Sequence, residues 1–185
     1  MTAEVFVGDE QSALPMEVDR WGGLARYVLE AEAVPEDCEL SILFVDRGTI
    51  AALNGRFREV DEPTDVLAFG IDDDQGVGSG RSPDGGGTGP GWVPPEPADM
   101  PFLLGDVVIC PEVAAANAAE HGVTLDREVA LLVVHGILHL RGHDHEEEKE
   151  AQEMERLEQE LLERWWAGEA GPVGEVEERR DGGAA

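Results

Sequence analysis

Apolar residues recur along this chain at two spacings, and each change from one spacing to the other marks an element. EVFV at 4–7 reads as a short strand, and Met16, Leu24, Tyr27, Val28 and Ala31 fall at helical intervals over Met16–Ala33. ELSILFV at 39–45 is continuous enough for a buried strand. Asp46 then stands where a helix cap belongs, ahead of a helix carrying Ile50, Leu53 and Phe57 and ending near Arg56 and Arg58. DVLAFGI at 65–71, entered through the turn-forming DEPT at 61–64, is a third strand, and FLLGDVVIC at 102–110 a fourth. Pro111 opens a helix whose stretch Val113–Glu120 is alanine-rich, and Leu125–Leu140 is a strongly apolar helix with Asp126 near its start. Glu146–Trp166 is amphipathic, with Met154, Leu157, Leu161, Leu162 and Trp165 on one side and acids on the other.

Between the third and fourth strands the composition changes abruptly. Residues 72–99 are dominated by Gly, Pro, Ser and Asp, too poor in apolar area to offset ordering entropy, and are expected to be a disordered insertion. Order resumes at once with an apolar strand that needs the earlier strands as neighbours. The expected organisation is therefore a single domain over 1–167 with this insertion, followed by a disordered acidic tail at 168–185. No internal repeat is visible. No run of about 18 apolar residues exists to span a bilayer, and the N-terminus has no basic and apolar leader, so a soluble cytoplasmic protein without a membrane partner is expected. Cys38 and Cys110, the only cysteines, do not make a disulfide framework and are expected to be reduced and buried.

Charge changes this picture in one respect. The chain carries 41 acidic against 13 basic residues, a formal net charge of −28, which by itself argues against binding free nucleic acid. The acids, however, are heaped in 146–163 and in the tail, so a strongly solvated surface accounts for most of the excess.

Four of the five histidines fall between residues 135 and 145, in HGILHLRGHDH. His135 and His139, four apart on a helix, place their imidazoles on one face, one turn above the other, as a metal site requires. Gly142 lets the chain leave the helix through a left-handed turn, and His145 can swing back as a third nitrogen. Three neutral imidazoles leave a fourth tetrahedral position for water, the open arrangement of catalytic zinc, whose bound water is acidified toward neutral pH. The plainer alternative is a set of helix-end histidines favoured by the helix dipole. The spacing equals that of the zinc-protease pattern HExxHxxGxxH, but the glutamate that would act as general base is replaced by Gly136. Asp144 either orients an imidazole or is an exposed loop acid, and His143 is either a further polar group near the metal or solvent-facing.

HGILHLRGHDH resembles the signature of the YbeY family of bacterial endoribonucleases, also called rRNA maturation factors. LNGRFREVDEPTDVLAF at 53–69 is similar to that family's second block, and LLGDVVIC at 103–110 to its third, in the expected order. The resemblance implies that His135, His139 and His145 hold one Zn²⁺ and that Arg58 is the essential arginine, the catalytic set being these four. It implies an α+β fold, a small mixed four-stranded sheet flanked by about five helices, with the metal site at the end of a buried helix. It further implies single-strand-specific endonucleolytic cleavage of a small-subunit ribosomal RNA precursor, acting in 16S rRNA 3′-end maturation, ribosome biogenesis and ribosome quality control, with ribosomal protein uS11 and an Era-type GTPase as partners. On chemistry, a guanidinium can clamp two oxygens of a phosphoryl group while zinc supplies the nucleophile or polarises a third oxygen. Without the matched block Arg58 would read as a surface ion pair, and Arg56 and Arg141 either add positive potential or are ordinary solvated side chains. Two alternatives stand beside this: a zinc-stabilised ribosome assembly factor working by binding, and a metalloprotease, which Gly136 disfavours.

Overall fold

The computed structural model describes residues 3–70, 102–143 and 147–169. Four strands and five helices follow one another as β1 (Glu4–Asp9), α1 (Val18–Ala31), β2 (Cys38–Phe44), α2 (Arg47–Arg58), β3 (Val66–Gly70), β4 (Phe102–Ile109), α3 (Pro111–His121), α4 (Leu125–Leu140) and α5 (Glu148–Glu169). The strands form one sheet in the order β1-β2-β4-β3. β1 and β4 run parallel to β2, and β3 runs antiparallel to β4, which makes the sheet mixed and the fold α+β as expected.

The two faces of the sheet are filled unequally. Cys38, Leu40, Ile42 and Phe44 of β2 with Val107 and Ile109 of β4 are buried against Trp21, Leu24 and Val28 of α1 and Val133, Val134 and Ile137 of α4, with Met154 and Leu161 of α5 behind them. The other face holds a smaller cluster, in which Ile50 of α2 packs on Leu67, Val108 and Val45. The continuous apolar run at 39–45 is thus not buried on both sides. Burial alternates along β2, with Glu39, Ser41 and Leu43 turned toward the α2 side. α2 covers only part of this face, and a cleft of about 600 Å³ opens beside it, walled by Phe6, Leu43, Leu53, Phe57, Phe69 and Leu103.

Local chemistry sets the element ends. The Asp46 carboxylate caps α2 by accepting the Thr49 N–H at 2.7 Å, and that bond holds its pKa below the ordinary carboxylate value. Gly105 has φ +141° at the point where β4 carries an extra residue relative to β2, Glu39 facing Leu103 while Leu40 faces Gly105. α5 continues past Trp166 to Glu169, so the first two residues of the expected tail are helical. Arg20 of α1 fastens that end, donating to both Glu169 oxygens at 2.9 and 3.0 Å and to Asp126 at 2.6 Å. Cys38 and Cys110 are free thiols in the interior, and burial pushes both above the usual thiol pKa. Among the described residues no helix is long and apolar enough to cross a membrane.

Candidate metal centre

The site is built on α4, whose end positions match the apolar pattern residue for residue. Thr124 caps the start, accepting the Arg127 N–H at 3.3 Å, and Asp126 and Glu128 in the first turn complement the helix dipole. Val129, Ala130, Val133, Val134, Ile137 and Leu138 bury the helix in the core, and His135 and His139 are left half-buried. The other end closes in a Schellman turn: Gly142, at φ +88°, donates to the His139 carbonyl at 2.9 Å, and His143 donates to the Leu138 carbonyl at 3.0 Å. Two contacts then fasten the turn to the end of α1. His143 Nε2 lies 3.2 Å from the Glu32 carboxylate, and Arg141 donates to the Glu32 carbonyl at 3.3 Å. His143 is therefore engaged with α1. His145 and Asp144 lie outside the described residues, as do residues 72–99 of the expected insertion.

His135 and His139 converge as their spacing requires. Their Nε2 atoms stand 3.0 Å apart, with the rings edge to face at an interplanar angle of 77°. Such an approach needs something between the two lone pairs, either a proton on one nitrogen or a shared cation. Two nitrogens bound tetrahedrally to one zinc ion at the usual Zn–N distance are about 3.3 Å apart, so a shift of a few tenths of an ångström suits the pair to the ion. A third group supports this. Glu158 of α5 sits with Oε1 2.7 Å from His135 Nδ1, and, when that nitrogen carries the ring's proton, Nε2 is left as a bare acceptor directed at His139. Among the described residues the converging donors are these two imidazole nitrogens, and both thiols are buried in the core. Among the described residues no group of three His, Cys, Asp or Glu side chains completes a metal cage.

Gly136 owes its identity to packing. A Cβ there would meet Val107 Cγ1 at 2.6 Å and Cγ2 at 3.0 Å. The position that carries glutamate in the zinc-protease pattern faces the sheet, so an acidic side chain there would enter the core and not the metal side.

Arg58 is the last residue of α2 and is exposed, with no hydrogen bond or ion pair to the described residues. Glu59 follows in the left-handed region at φ 58°. α2 and α4 lie on opposite faces of the sheet, yet both reach the same end of it. Phe57 packs on Phe69 with ring centroids 4.8 Å apart and tilted by 53°, Gly70 pairs with Gly105, and Leu140 closes over Gly105 from the other face. The C-terminal ends of α2 and α4, which carry Arg58 and His139, therefore lie toward the same end of the sheet. Arg56 lies over the Phe57 ring at 5.2 Å, and Asn54, buried, donates to the Glu62 carbonyl at 2.8 Å, tying the loop after α2 back to the helix.

A family model described as Endoribonuclease YbeY matches residues 7–166. The chain belongs to the YbeY family. Among its relatives, Endoribonuclease YbeY of Mycolicibacterium vanbaalenii is 40% identical over 167 residues, covering 90% of this chain and 82% of the relative. Endoribonuclease YbeY of Thermobifida fusca is 41% identical over 155 residues, covering 84% of this chain and 90% of its own. In three dimensions the chain is similar to the solution structure of TM1509 from Thermotoga maritima, at a TM-score of 0.55 and 26% identity over 90% of this chain and 91% of that one. The match spans the segments that carry Arg58, His135 and His139. Glu158, in contrast, had no part in the sequence-derived site. Its signal was a charge lodged among acids yet placed four residues after Met154 and three before Leu161, on the apolar stripe of α5.

Proposed function

We propose that this chain is a zinc-dependent endoribonuclease cutting single-stranded RNA, with His135 and His139, joined by His145, holding one zinc ion and Arg58 binding phosphate. The observation that carries this is the pair of imidazole Nε2 atoms 3.0 Å apart with a carboxylate behind one of them. Membership of a family named for endoribonuclease activity supports the substrate class. Bound there, zinc would supply Lewis acidity and an acidified water at neutral pH. Arg58, with no counter-ion among the described residues, is available to hold two oxygens of a scissile phosphate. An RNA strand crossing the end of β3 would meet Arg58 from one face and the histidines from the other. The Glu158 carboxylate lies behind His135 at Nδ1, and Gly136 leaves α4 without the protease-type base.

The biological setting we propose is 3′-end maturation of 16S ribosomal RNA, ribosome biogenesis and ribosome quality control in the cytoplasm, with uS11 and an Era-type GTPase as partners. A second reading, a zinc-stabilised assembly factor that works by binding, is favoured by one observation, the net charge of −28, which repels naked RNA. Metal analysis combined with cleavage of a small-subunit RNA precursor tests both. His139→Ala is expected to lose metal and cleavage together, and undiminished cleavage by a metal-free preparation would sink the proposal. Arg58→Ala is expected to lose cleavage while retaining ribosome association, whereas restored ribosome assembly by that inactive variant would favour the binding role.

A further inference from the structure

Glu158 is a carboxylate in a place that ordinarily takes a leucine. It lies on the core-facing stripe of α5 between Met154 and Leu161, both 2% exposed, and is itself 9% exposed. A buried carboxylate is costly unless paired, and a well-packed apolar side chain at such a position is often as stable or more so. Among the described residues its hydrogen-bond partner is one atom, His135 Nδ1, at 2.7 Å, in the range of a charge-assisted bond. Nδ1 is on the far side of the ring from Nε2, so Glu158 is not a ligand at the point where the two Nε2 atoms meet.

We propose that Glu158 is the positioning residue of the histidine pair. It fixes His135 as the Nδ1–H tautomer and aims Nε2 at His139, with a carboxylate held behind the ring. α5 thereby becomes part of the site, although it contributes no ligand among the described residues. The effect on metal affinity rests on the zinc reading above; the tautomer assignment stands without it.

The test compares wild type with Glu158→Gln and Glu158→Met. Glutamine can still accept the Nδ1–H through its amide oxygen but carries no charge; methionine suits the apolar stripe and accepts nothing of comparable strength. Ring-nitrogen NMR of metal-free protein reads the tautomer, chelator competition reads zinc affinity, and thermal melts report folding. The expected order of zinc affinity is wild type, then Glu158→Gln, then Glu158→Met, the last weaker by about 10–100-fold. Glu158→Met should also lose the fixed Nδ1–H signal of His135 while melting no lower than wild type. Equal zinc affinity in all three proteins, or an unchanged His135 signal in Glu158→Met, would overturn the positioning role. If wild type itself fails to bind zinc, the zinc reading and its affinity arm fall, and the tautomer signal alone decides the role of Glu158.

Discussion

Replacing Gly105 by alanine should cost this protein a large part of its stability, and the cost can be built from two independent contributions. At φ +141° the backbone of residue 105 is in a region that L side chains rarely adopt, worth roughly 1–3 kcal/mol of strain for a residue with a Cβ. The added Cβ would also stand 2.2 Å from the Phe69 carbonyl oxygen and 3.0 Å from Leu140 Cδ2. The first neighbour is backbone paired within the β3–β4 ladder and cannot turn aside, so overpacking adds roughly another 1–3 kcal/mol. The sum, about 4 kcal/mol at its centre, compares with a total of roughly 5–15 kcal/mol for a typical domain. For a chain of this size each kcal/mol lowers Tm by roughly 2–4 °C, which puts Gly105→Ala about 8–16 °C below wild type in a circular dichroism melt. Gly142→Ala is the control. Its φ of +88° is also unfavourable, but no described residue lies within 4 Å of its Cβ position, so it should lose only the conformational part, roughly 1–2 kcal/mol. A Tm for Gly105→Ala within about 2 °C of wild type, or equal losses in the two variants, would refute the collision with Phe69.

Gly136→Glu should not create a peptidase; casein digestion should stay absent and the melt should fall, because the new side chain meets Val107 in the core. Cys38 and Cys110 should react with a thiol reagent only as fast as the protein unfolds at neutral pH, and rapid native-state labelling of either would contradict their burial. Because burial raises both thiols, their share of stability is full below the unfolded thiol pKa of about 8.5 and is lost as pH rises toward the folded values. An alkaline melt series of a Cys38→Ala, Cys110→Ala double variant should therefore be flatter above that pH than wild type. Moderate salt or Mg²⁺ should raise cleavage of naked RNA by screening the acidic surface, whereas a steep fall in binding over the same range would place the acids away from the RNA path.

The helices were legible in the sequence to the extent that they carry their own punctuation. α4 runs over the predicted residues because Thr124 caps it and Gly142 ends it, both local signals. α5 outran its apolar pattern because Arg20, distant in sequence, holds Glu169. The run at 39–45 concealed the alternation of β2 because Leu43 faces a second apolar cluster, made by α2 and β3. Of the site, the pairing of His135 with His139 follows from helical spacing alone. That Arg58 reaches the same end of the sheet follows from the β3–β4 register, which no local pattern encodes. Glu158 stayed hidden because acids surround it in the sequence, and only its place on the apolar stripe separates it from solvated neighbours such as Glu155.

Gly136 has a consequence for aim. Successive residues on a helix are turned by about 100° from one another, so rotating α4 by a single position would bring His135 or Ile137 against Val107. Neither side chain fits where a lone Cβ already falls at 2.6 Å. The glycine thus acts as a keyway, admitting β4 at one rotational setting of the helix. The compass direction of both imidazoles is set from a neighbouring face of the helix, by a missing side chain.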